Sequence, residues 1–102
     1  TPQVGVSAGK RYIVSGWIKT QSMANKYFGA YGVEARIQWY SSLGVLLKTE
    51  NIASGLKGTT AWTRYEKSFI APANAVKARL QLQTTGIFTT GTAWFDTWGI
   101  VP

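Results

Sequence analysis

Between Val76 and Gln83 every second residue is aliphatic (Val76, Ala78, Leu80, Leu82) and the residues between them are polar (Lys77, Arg79, Gln81, Gln83). A period of two is the geometry of a β-strand with one buried and one open face. A helix would scatter the same residues around its axis, so this stretch constrains the fold more than any other. The rhythm recurs in Arg11–Thr20, where Tyr12, Val14, Gly16 and Ile18 fall on one side and Ile13, Ser15, Trp17 and Lys19 on the other. It recurs again in Val33–Ser41, with Val33, Ala35, Ile37 and Trp39 opposed to Glu34, Arg36, Gln38 and Tyr40.

Weaker strand signals fill the remainder. Val4–Val6 reads as a short opening strand, Val45–Ile52 as a hairpin partner, and Trp62–Ala71 as a strand stopped by Pro72. Thr92–Val101 is rich in aromatic and β-branched residues, as strands are. Ser7-Ala8-Gly9, Ser41-Ser42-Leu43-Gly44 and Pro72-Ala73-Asn74 are turns. Loops are expected over 21–32, Ala53–Thr60 and Thr84–Gly91. The first of these holds Tyr27, Phe28 and Tyr31, and reads equally as a lid packed on the sheet edge or as a binding loop. The sum is a single all-β domain over residues 1–102, an antiparallel sandwich or barrel of six to eight strands.

The residues needed for common chemistries are scarce. There is no His and no Cys, so the usual general base and the thiol nucleophile are missing. The acids are Glu34, Glu50, Glu66 and Asp96. Nothing in their spacing makes a paired-carboxylate site, and the chain is read as a non-enzyme. Glu34 and Glu66, each among basic residues, are expected in cross-strand ion pairs. Asp96 is bracketed by Trp94, Phe95 and Trp98 and is expected to need a cation, a metal or backbone amides beside it. The formal charge of +7 comes from basic residues spread along the chain, only Lys10 and Arg11 being adjacent. Dispersed charge is that of a solvated surface, and nucleic acid is a minor reading. No apolar run reaches the ~20 residues of a membrane-spanning helix. Thr1-Pro2-Gln3 reads as the middle of a longer protein, without a signal peptide.

The combination that points to a ligand is aromatic and amide-rich. Trp17 and Lys19 on one strand, Arg36, Gln38 and Tyr40 on a second, and Arg79, Gln81 and Gln83 on a third would supply flat rings and planar hydrogen-bonding groups. A sugar has an apolar C–H face and a rim of hydroxyls, so such a set suits a glycan or polysaccharide. The competing view is that Trp17 and Tyr40 are packing residues.

Four phrases also resemble a known family. Gly9-Lys10-Arg11-Tyr12-Ile13-Val14-Ser15-Gly16-Trp17-Ile18-Lys19, Ile37-Gln38-Trp39-Tyr40 with Gly44, Trp62-Thr63-Arg64-Tyr65-Glu66-Lys67-Ser68-Phe69-Ile70-Ala71-Pro72, and Gly91-Thr92-Ala93-Trp94-Phe95-Asp96 resemble, in order, strands of jelly-roll carbohydrate-binding modules, the galactose-binding-like domains. The resemblance implies a two-sheet jelly roll and a non-catalytic glycan-binding role ancillary to a larger secreted or surface protein. It also implies a structural calcium, with Asp96 as ligand and main-chain oxygens near Gly9 or Lys10 as partners. The chain departs from the family in lacking the customary opening strand and in having Thr97 where a second Asp is usual. A missing strand would leave a sheet edge open to other protein chains. The alternative function is therefore a structural or assembly module of a virion, tail or surface array.

Overall fold

A computed structural model of the chain describes residues 3–25, 32–85 and 89–102. They form seven strands: β1 (Val4–Gly5), β2 (Arg11–Asn25), β3 (Gly32–Tyr40), β4 (Leu46–Leu56), β5 (Gly58–Ile70), β6 (Lys77–Thr85) and β7 (Thr89–Val101). They make two antiparallel sheets, one in the order β1-β6-β3-β4 and one in the order β5-β2-β7. Only β3 and β4 are a hairpin within one sheet; every other connection crosses between layers. This is the Greek-key wiring of a jelly-roll sandwich.

The layers meet with β6 over β7, β3 over β2 and β4 over β5 and β2. The alternation read from the sequence decides what lies between them. Val14, Ile18, Val33, Ile37, Trp39 and Ala78 are sealed from solvent, and Tyr12, Phe69 and Leu80 are nearly so. The core has two lobes. One centres on Tyr12, Trp39 and Phe69, the other on Ile18, Met23 and Val33. Ile52 and Trp98 pack against both lobes and join them.

Several buried polar groups pair with one another. The Trp39 indole Nε1 donates to Glu50 Oε2 at 2.9 Å, and Glu50 also holds Lys48 at 3.1 Å. Thr20, fully buried, shares a 2.8 Å hydrogen bond between its hydroxyl and that of Thr60 and accepts from the Thr60 N–H. Tyr12 closes the end of the sandwich, its hydroxyl accepting from the Ser7 N–H at 2.7 Å.

Three expectations change. Ala53–Thr60 is not a loop: β4 runs on to Leu56 and β5 begins at Gly58. Gly55 (φ 65°) and Gly58 (φ 72°), both left-handed, turn the chain from one layer to the other with almost no connecting residues. A Gly, Ser and Thr composition is shared by loops and by such corners. β2 also continues through Asn25, well into the first expected loop; the aromatic part of that loop, 26–31, lies outside the described residues, as do 86–88. Third, the ion pairs run along strands rather than across them. Arg64 pairs with Glu66, and Arg36 Nε lies 3.2 Å from Glu34 Oε1 without pointing its N–H at it. The neighbours across the sheet, Ser15 beside Glu66 and Gln83 beside Glu34, are uncharged.

One close approach organises the centre. Gly16 faces inward and is buried, and a Cβ built there would fall inside the Trp98 indole. Trp98 in turn donates its Nε1–H to the Trp17 carbonyl at 3.1 Å. Gly16→Ala is expected to cost about 2–3 kcal/mol, the upper range for overpacking, because the nearest atoms belong to a rigid ring held between both lobes. Urea unfolding checks it; a shift under about 0.5 kcal/mol would mean that Trp98 relaxes freely.

Candidate functional site

The sandwich presents two outer faces, and they differ in kind. The sequence-derived ligand set is divided between them: Trp17 and Lys19 lie on the three-stranded sheet, while Arg36, Gln38, Tyr40, Arg79, Gln81 and Gln83 lie on the four-stranded one. Alternation reports which side of its own strand a residue takes, not which sheet that strand joins. The residues expected above to serve one ligand therefore lie on two faces on opposite sides of the molecule.

The four-stranded face is a closed polar network. Register places Tyr40 beside Lys77, Gln38 beside Arg79, Arg36 beside Gln81 and Glu34 beside Gln83. Gln38 Oε1 accepts from Arg79 Nη2 at 2.9 Å and from the Tyr40 hydroxyl at 3.0 Å. The Arg79 guanidinium lies 5.7 Å from the Tyr40 ring centroid. Gln83 Nε2 donates to Glu34 Oε1 at 2.6 Å. Gln38 is only 9% exposed. Gln81 Oε1 and the Nε of its register neighbour Arg36 are buried without a hydrogen-bond partner among the described residues. A ligand would have to break most of these contacts to replace them, and an exchange of hydrogen bonds yields little net free energy.

The three-stranded face is open. Register sets Arg64, Trp17 and Asp96 side by side on β5, β2 and β7, and Lys19 beside Trp94 in the next row. Trp62 lies two residues from Arg64 along β5, on the same side, so Trp62 and Trp94 flank Lys19 and both lie diagonal to Trp17. The three indoles are 44%, 37% and 38% exposed for Trp62, Trp17 and Trp94. Lys19 Nζ stands 5.2 Å from the Trp94 ring centroid, a cation–π contact. Trp62 and Trp94, exposed beside Trp17, stand outside the sequence-derived set. For Trp62 the signal was present, because Trp62, Arg64 and Glu66 alternate as one outward row.

Asp96 is not buried among its aromatic neighbours. It is exposed beside Trp17 and forms no ion pair with a described residue. Asp96 and the main chain near Gly9 and Lys10, which the resemblance implies as calcium ligands, lie apart along β2. Asp96 sits opposite Trp17, seven residues along β2 from Lys10, or roughly 23 Å at strand rise. The same separation keeps it from pairing with Lys10 or Arg11. No group of three or more His, Cys, Asp and Glu side chains able to hold a metal occurs among the described residues, nor is any helix there long and apolar enough to cross a membrane.

The chain matches no protein-family model and no curated protein sequence.

The open face depends on a bulge. Between the pairs Trp17–Asp96 and Ser15–Gly99, β7 has one residue more than β2. Thr97, at φ 53°, takes the left-handed conformation that a β-branched residue disfavours. The extra residue lets Trp94 and Asp96 face outward while Trp98 and Ile100 face the core. Thr97→Asn should stabilise the fold by about 1 kcal/mol, since Asn tolerates this conformation. Thr97→Val should not stabilise it at all. Thermal unfolding of both variants tests the point, and a stabilising Thr97→Val would contradict the bulge.

Proposed function

We propose that this domain is a non-catalytic carbohydrate-binding module, ancillary to a larger secreted or surface protein, that holds a polysaccharide on the outer face of β5, β2 and β7. The observation that carries the reading is the set of three exposed tryptophans, one on each neighbouring strand. Indole is the largest flat apolar surface available, and pyranose rings stack on it through their C–H faces. Trp62 and Trp94 are two strand spacings apart, roughly 10 Å, which suits consecutive rings of a chain laid across the strands. Lys19, Arg64, Glu66 and Asp96 lie between and beside the rings, within reach of sugar hydroxyls. The mixture of signs argues against nucleic acid, whose single-stranded binders line their stacking rings with continuous positive charge. The acids favour binding over catalysis: Glu34, Glu50 and Glu66 are each engaged by a basic side chain.

Affinity electrophoresis through gels containing soluble polysaccharides tests the reading. At least one polysaccharide should retard the domain. Trp17→Ala, Trp62→Ala and Trp94→Ala should each weaken that retardation roughly tenfold, while Gln38→Ala and Gln81→Ala on the opposite face leave it unchanged. Retardation by no polysaccharide sinks the proposal. Loss through the glutamines alone would move the site to the four-stranded sheet.

A further inference from the structure

β7 is paired on one side only. β2 lies along one edge of it, and no described strand lies along the other. Its inward side chains register the vacancy: Ala93, Phe95, Trp98 and Ile100 are half-buried, whereas their β2 neighbours Val14 and Ile18 are sealed. The opposite layer extends one strand further. β6 stands over β7, and β1 lies beyond it with no described strand of the second sheet beneath, Val4 being 37% exposed.

The other edges are guarded in the ways sheet edges usually are. β1 has only two paired residues, β4 is broken by register shifts, and β5 carries Arg64, Glu66 and Lys67. β7 has no Lys, Arg or Pro, and its bulge at Thr97 leaves the run Thr92–Asp96 straight against β2.

The geometry points to a docking slot on the free edge of β7 for one extended segment of a partner polypeptide, lying antiparallel to β7 and beneath β1. The overhang selects this occupant over a second copy of the domain. Symmetric antiparallel pairing of two β7 edges would drive each copy's β1 into the space held by the other's β6. A lone strand meets no such obstacle. Its inward residues are apolar at alternate positions, covering Phe95 and filling the gap under β1. Its outward face carries a Lys or Arg across from Asp96, the exposed carboxylate without an ion-pair partner among the described residues. Backbone hydrogen bonds supply affinity, as in β-augmentation, and the alternating side chains supply selectivity. The slot lies on the edge of the sheet, not on its tryptophan face, so it stands or falls independently of glycan binding.

The test uses the 102-residue chain, isotope-labelled, with a synthetic peptide of about ten residues that alternates Val and Thr and carries one central Lys. Amide hydrogen exchange is read residue by residue, with an alternately N-methylated peptide as control. The plain peptide should slow the β7 amides that point away from β2, over Thr92–Asp96, by roughly tenfold or more. The N-methylated peptide should not, and Asp96→Lys should weaken the effect of the plain one. Unchanged exchange along β7, or slowing confined to β4 or β5, overturns the inference. Slowing that grows with protein concentration in the absence of peptide also overturns it, because it makes the occupant a second copy.

Discussion

The contact on which the rest turns is the indole of Trp98 lying on the bare backbone of Gly16. It exists only because β7 gains a residue at Thr97. Without that insertion strict alternation would put Trp98 on the same side as Trp94 and Asp96, and the two lobes of the core would lose the ring that joins them. With it, the first half of β7 offers aromatic surface to solvent and the second half closes the interior. One strained threonine thus serves both core and surface, at a conformational cost of the order of 1 kcal/mol.

The two outer faces show how similar residue types reach opposite ends. Long polar side chains on β3 and β6 face one another in register, and Gln38 with Arg79 and Glu34 with Gln83 satisfy each other, so much of the four-stranded sheet is covered by its own amides and guanidinia. On the three-stranded sheet the register sets indoles beside single charges, and rings cannot satisfy hydrogen-bonding groups in that way. What remains there is apolar area with polar groups at its margins, the condition in which a ligand gains by desolvating the surface.

The fold was legible where alternation is strict. β2, β3 and β6 sort their residues inward and outward as read, Gly16 among the inward ones. Legibility ended where the backbone departs from regularity. The bulge reverses parity along β7, so Trp98, two residues from Asp96, turns to the core instead of sharing its face as strict alternation would have it. The glycine corner at Gly55 and Gly58 has the composition of a loop. Of the sequence-derived set, Trp17 is exposed, but its amide companions belong to the other layer. Strand parity is a local property, and membership of a sheet is decided by pairings between residues far apart in the chain.

That remoteness of partners has a kinetic side. Apart from the single hairpin of β3 and β4, each strand must await a neighbour synthesised much earlier or later, and the loop-closure entropy is spent before any contact repays it. Chains wired this way reach the native state in milliseconds to seconds rather than microseconds. Among the described strands, the hairpin is the one piece of sheet whose partners are adjacent in sequence, so it is the one that closes at the lowest entropic cost.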